Sequence, residues 1–191
     1  AMPQTEDAIF YQLYFQTPGV AEAELERDTQ ATIRRLLYSA SGDVPRIEGT
    51  GSARNDVGMV PRRGGFLDHM LDPDPLPSWL TAADIEFYAG EFARTGFRGG
   101  LNWYRNSDRN WELLAPFAGA QVTVPALYVA GDRDLVVAFR GMDQLIPNVS
   151  KFVPNLRRTV MLPGCGHWTQ QERPGEVNAA MIAFLRELGV K

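Results

Sequence analysis

Hydrophobic and polar positions change their period along the 191 residues of this chain, and each change predicts a different element. From Val20 to Ala40 the stretch "VAEAELERDTQATIRRLLYSA" is rich in helix formers, with Leu25, Ile33, Leu36 and Leu37 at near-helical spacing. Residues 42–64, "GDVPRIEGTGSARNDVGMVPRRG", lose that periodicity and gather Gly, Pro and charge. They predict a long irregular loop, of a length usually found in lids, binding loops or disordered segments. Phe66, Leu67, Met70, Leu71, Leu76 and Trp79 then suggest that the chain returns to cover something. "TAADIEFYAGEFARTG" predicts a helix with both ends marked. Thr81 fits the N-cap with Asp84 three residues on, Ile85, Tyr88 and Phe92 share a face, and Gly96 fits the stop. The first hundred or so residues therefore read as helical.

After about residue 115 the pattern switches. "VPALYVAG", ending at Gly131, and "RTVMLPG" are short apolar runs that predict two buried strands. Between them lie roughly 25 residues with a helical candidate at "FRGMDQLI", a length that suits the crossover between parallel strands. The chain closes on an amphipathic helix, "PGEVNAAMIAFLRELG", which predicts Val177, Met181, Phe184, Leu185 and Leu188 facing inward and Pro174 in the first turn. This order is the grammar of an α/β sheet. Two parallel strands are marginal alone and need neighbours and covering helices. The chain is expected to be the end of a larger α/β protein.

Composition narrows the function classes. Hydrophobic residues make up 45% and charged residues 22%, an ordinary globular balance. A net charge of -4 with no basic run argues against a nucleic-acid or anionic-membrane partner. No apolar run approaches the roughly 20 residues of a membrane span. The single cysteine, Cys165, cannot form an internal disulfide, which fits a reducing cytoplasm.

Both predicted strands end in chemistry. The first ends in "GDRD" and the second in "GCGH", and catalytic groups of α/β sheets gather at the carboxyl ends of strands. If the strands are neighbours, a carboxylate beside His167 would fix its tautomer and leave Nε2 as a base. Asp132 or Asp134 can be that acid, and either can instead be a turn residue. His167 has its own plain alternative, a satisfied core histidine. Cys165, wedged between turn glycines, reads as a small buried residue, with a nucleophile as the alternative. His69, in "FLDHML", reads as an ordinary exposed or cap histidine, and Tyr14, Tyr38, Tyr88 and Tyr128 as packed aromatics with satisfied hydroxyls.

Four blocks, "FYQLYFQTPGVAEAELE", "GFRGGLNWYRNSDRNW", "GDRDLV" and "GCGHWTQQERPGEVN", together resemble the soluble-type epoxide hydrolases of the α/β-hydrolase fold. The resemblance runs from about residue 9 to 188 and is weakest over 42–80. It implies a helical cap (lid) domain over residues 1–112 and the C-terminal part of the hydrolase core over 113–191. Tyr11 and Tyr104 match the cap tyrosines that hydrogen-bond the epoxide oxygen, Asp134 the charge-relay acid and His167 the base. Gln12, Trp103 and Trp168 stand beside these positions and are expected to line the substrate. The implied reaction opens an epoxide to a vicinal diol through an aspartyl ester, with no metal or organic cofactor. The implied setting is cytoplasmic detoxification.

One part of the family pattern has no match. No aspartate here follows a strand-like run on a glycine-flanked elbow, and the oxyanion-hole loop has no counterpart. The nucleophile is expected outside this chain, on a missing N-terminal half of the core that becomes a required partner; a homodimer is a further possible partner. Two other functions fit the same residues. A haloalkane or haloacid dehalogenase shares the ester chemistry but uses indole N–H donors for halide, for which Trp103 is the one candidate. A truncated, non-catalytic relative would act as a binding module.

Overall fold

The structure, a computed structural model, describes residues 2–45 and 58–189, so most of the expected long loop lies outside the described residues. The chain divides into two compact units, one from residues 1–39 and 55–118, the other from residues 40–54 and 119–191.

The first unit is helical around a small sheet. Strand β1 (Ala8–Phe10) runs directly into the short helix α1 (Tyr11–Tyr14), followed by α2 (Val20–Leu25) and α3 (Thr29–Ser39). The helix expected over 20–40 is thus two helices. The break falls at Asp28, whose carboxylate accepts the Ala31 N–H at 3.0 Å and starts α3 afresh. Strand β2 (Met59–Pro61) pairs antiparallel with β1, Ala8 opposite Pro61, so the end of the expected loop is ordered as sheet. Helix α4 (Ala82–Thr95) keeps its expected ends. Thr81 and Asp84 form a reciprocal capping box and Gly96 closes the helix at φ 71°. Helices α5 (Arg98–Arg105) and α6 (Ser107–Leu113) complete the unit. Phe15, Ala21, Leu25, Ile33, Leu67, Leu80, Ile85, Ala89, Phe97 and Leu101 form one buried cluster, with Phe66, Met70, Leu76 and Trp79 packed at its margin. Of the returning apolar residues only Leu71 stands out to solvent.

The second unit carries the expected strands. β3 (Ala126–Gly131) and β4 (Leu156–Leu162) are parallel neighbours, with Gly131 opposite Leu162 at their carboxyl ends. The crossover is shorter in helix than expected. It holds two 3-10 turns, Leu135–Ala138 and Ile146–Lys151, and the four-residue α7 (Met142–Leu145). Pro147 stands at the start of the second turn and removes an N–H that a continuing helix would need. Helices α8 (Thr169–Glu172) and α9 (Pro174–Glu187) follow, with Pro174 in the first turn of α9. The buried core here is small, Leu162, Cys165 and Val177 with Val129 and Val160 against them.

The inward face expected of α9 needs correcting. Val177 is buried, but Met181, Leu185 and Leu188 are exposed, because the periodic pattern records which residues want burial and says nothing of what covers them.

Candidate active site

In the first unit, local sequence dictates where Tyr11 stands. β1 delivers it to the first position of α1, and its N–H donates to the Gly58 carbonyl at 2.7 Å, just before β2. Gly58 has φ 77°, and a Cβ there would press on the Phe10 and Tyr11 rings, so this turn requires glycine. Tyr104 arrives from the last turn of α5. The two phenol rings meet edge to face, centroids 5.6 Å apart, with Phe15 at 5.6 Å from Tyr11 and 5.2 Å from Tyr104. Gln12 Nε2 donates to the Tyr11 hydroxyl at 3.1 Å. Burial, followed by the neighbouring Tyr11 phenol, raises the Tyr104 pKa above its ordinary 10.0. Its hydroxyl is therefore a neutral donor at pH 7.

A polar clamp fixes this pair. Arg105, next to Tyr104, donates from Nε to the Phe15 carbonyl at 2.8 Å and meets both Glu22 oxygens at 2.6 and 2.8 Å. The Arg105 hydrogen bond holds the Glu22 carboxyl down at about 2. Gln16 Nε2 bridges the Gln12 and Tyr104 carbonyls at 2.8 and 3.0 Å. Helix α5 is thereby tied to the segment that carries Tyr11. Sequence reading named none of these three residues. Their bonds between α5 and the Tyr11 segment span 83 to 90 positions, and "YRN" after a tryptophan was the only local trace.

The second unit presents the other pair. Asp134 Oδ1 lies 3.0 Å from His167 Nδ1 and also accepts the Val136 N–H at 2.8 Å. Asp132 instead serves the turn, accepting the Gly164 N–H at 2.7 Å. Of the two acids left open by sequence, Asp134 is the one on the imidazole. A Cβ on Gly131 would run into the Cys165 and Gly166 carbonyls, so only glycine lets the two strand ends approach this closely. Burial alone would raise Asp134, but the His167 hydrogen bond and the Val136 N–H outweigh it and hold the carboxyl below its ordinary 3.8. The same hydrogen bond raises His167 above 6.5 against its burial. With Nδ1–H spent on Asp134, Nε2 carries the lone pair.

The remaining expected residues take different positions. Trp168 packs edge to face on the His167 ring, centroids 4.8 Å apart. Trp103 is 81% exposed, and His69 is exposed as well. Cys165 is fully buried, and burial pushes its thiol up to about 11, which leaves it protonated and inert. Tyr14 donates to Glu24 at 2.6 Å, a satisfied packed aromatic as expected. Among the described residues no group of three or more His, Cys, Asp or Glu is placed to hold a metal ion, and no helix is long and apolar enough to cross a membrane.

No protein-family model matches the chain. Curated proteins and solved structures do. The chain is 44% identical over 182 residues to epoxide hydrolase A of Mycobacterium tuberculosis, covering 95% of this chain and 53% of that protein. Among structures, epoxide hydrolase A from Mycobacterium thermoresistibile superposes with a TM-score of 0.79 at 46% identity, over 95% of this chain and 53% of that one. An epoxide hydrolase from an endophytic Streptomyces superposes at 0.86 and 39% identity, over 96% of this chain and 54% of that one. The chain thus spans about half the length of the relatives it matches. Its parallel strand pair, strand-end Asp and His, and this breadth of similarity match the C-terminal portion of epoxide hydrolases of the α/β-hydrolase fold.

Proposed function

We propose that this chain supplies the cap and the C-terminal core of an enzyme that hydrolyses epoxides to vicinal diols, with the first compact unit as cap. The edge-to-face phenol pair carries the reading, because a strand-end His–Asp pair fits many hydrolases and two convergent phenols fit this one. A carboxylate from a part of the core outside this sequence attacks one epoxide carbon. The carbon–oxygen bond breaks, and its electron pair goes to the epoxide oxygen. Tyr11 and Tyr104 donate hydrogen bonds to that oxygen as it becomes an alkoxide, and one of them passes it a proton. The product of this step is an alkyl ester on the carboxylate.

His167 acts second. Its Nε2 takes a proton from water as the hydroxide adds to the ester carbonyl. On collapse the imidazolium protonates the departing diol oxygen, and the carboxylic acid left behind returns its proton to the tyrosinate, restoring carboxylate, phenol and neutral imidazole. Asp134 orients the ring and stabilises the imidazolium that forms. Gln12 holds the Tyr11 hydroxyl, while Trp103 and Trp168 supply apolar surface to the substrate. Each step balances without a metal or organic cofactor.

The test is turnover of a styrene-type epoxide by two samples. The 191 residues joined to the core half of a relative should form diol, and the 191 residues alone should form none. Diol from the 191 residues alone would place the nucleophile within them and overturn the proposal.

A further inference from the structure

Glu172 is a buried carboxylate that the reaction above does not use. It is 6% exposed, at the end of α8, five residues after His167. Oε2 accepts the N–H of Gly166 at 2.8 Å and of Gly42 at 2.8 Å, and Oε1 accepts the N–H of Trp168 at 3.0 Å. The residues on either side of His167 are thus held by one carboxylate. The amide between them, that of His167 itself, donates to the Ala40 carbonyl at 2.9 Å. Three consecutive N–H groups of the corner are committed, and no rotation about residue 167 leaves all three satisfied.

We infer that Glu172 is a positioning residue for His167, a buried carboxylate that fixes the corner carrying the imidazole and pins the 40–42 segment beneath it. This rests on the reading of His167 as the base. Glycines make the arrangement possible. A Cβ on Gly42 would overlap the Gly164 carbonyl, and one on Gly166 would overlap the backbone of residues 40–42, so the two segments touch main chain to main chain. A carboxylate suits the role because both its oxygens accept. Glutamine would turn an NH2 group toward one of these three N–H donors and leave it unpaired in a buried place. The charge also reaches the ring. Asp134 from the end of β3 and Glu172 from α8 are the two acidic groups acting on His167, and both raise its pKa.

The experiment follows the imidazole by NMR titration in the intact protein, the His167 signal being the one that His167→Gln removes. Glu172→Gln is expected to lower the His167 pKa by roughly 0.5–1 unit, the effect of one nearby charge at an effective protein dielectric. Glu172→Asp, charged but one methylene short, should restore part of that shift. A Glu172→Gln protein that melts earlier yet titrates like wild type would reduce Glu172 to a stability residue and overturn the inference. If Glu172→Gln does not fold, amide exchange in the wild-type protein decides. The Gly42, Gly166 and Trp168 amides should exchange at least ~100-fold slower than open chain, and exchange at open-chain rates overturns the clamp. Neither readout requires turnover. A shifted titration in the 191 residues joined to the core half of a relative, with no epoxide hydrolysed, supports the clamp and counts against the reaction alone.

Discussion

The two units hold their chemical groups by opposite means. In the first, beyond the Gly58 carbonyl that receives the Tyr11 N–H, Tyr11 and Tyr104 are fixed mainly by side chains, an aromatic cluster around Phe15 and the Arg105–Glu22–Gln16 clamp, on a core of ten buried residues among those described. In the second, His167 and Asp134 sit where two strands end. Glycines, backbone N–H groups and the Glu172 carboxylate hold them over a core of three buried residues. The difference fits what the proposed reaction asks of each group. A phenol that meets a developing alkoxide is aided by an apolar wall, since poor solvation strengthens its hydrogen bond and keeps it neutral. A base must exchange protons with water, and His167 keeps 39% of its side chain exposed. Its precision therefore comes from main chain rather than from enclosure.

The contrast can be broken most severely at the phenols. Removing one well-placed oxyanion donor costs on the order of 3–4 kcal/mol of transition-state stabilisation. Tyr11→Phe with Tyr104→Phe should therefore abolish ester formation, read as loss of the burst of alkylated protein, while the melting temperature changes little. Arg105→Ala should act in the other currency. Arg105 and Glu22 are half-buried at 12% and 13% exposure, so stranding Glu22 should cost only part of the ~3–5 kcal/mol that breaking a fully buried pair costs. A thermal or urea melt should show that loss, whereas Asp134→Asn should leave the melt nearly unchanged and remove turnover.

Acid separates the units more gently. Glu22 titrates in the folded protein at about 2 against an ordinary 4.5, so its contribution is present above pH 4.5 and disappears as pH falls toward 2. His167 has the opposite sign. Its raised pKa adds stability below pH 6.5 that is lost as pH rises through the folded value, while the base needs the neutral ring. Ester hydrolysis should therefore climb with pH through a limb centred above 6.5, in a range where the Glu22–Arg105 clamp does not titrate. Rapid-quench rates across pH 5–9 check it, and a limb below 6.5 would detach the reaction from this imidazole. The smallest effect belongs to Thr81, where Thr81→Ala should lose about 1 kcal/mol with the capping box of α4 and leave both pairs in place.

The two units also differ in how far sequence reveals them. His167 and Asp134 were legible because each sits on its own strand-end corner, "GCGH" and "GDRD", whose glycines and apolar runs are local signals. The choice of Asp134 over Asp132 was settled by the imidazole distance and by the Gly164 N–H that occupies Asp132. Tyr11 and Tyr104 had no such local signature and came from family likeness alone, because the packing that joins them is tertiary. Glu172 was invisible. It looks like a surface-helix acid, and its burial depends on Gly42, 130 positions away. Strands β1 and β2 escaped for a simpler reason, since three residues cannot display a period of two. The exposed end of α9 shows the remaining limit, that amphipathicity predicts a face and not its cover.

The division of labour between the two units is the central claim, and one measurement addresses it directly. The 191 residues carrying His167→Gln, joined to the carboxylate-bearing core half of a relative, are exposed to a styrene-type epoxide and weighed intact by mass spectrometry. The phenols and carboxylate should still alkylate the protein, and without the base the ester should persist, giving one stable adduct of the epoxide mass and no diol. Continued diol formation with no adduct would show that His167 is not the base, and the account would fail.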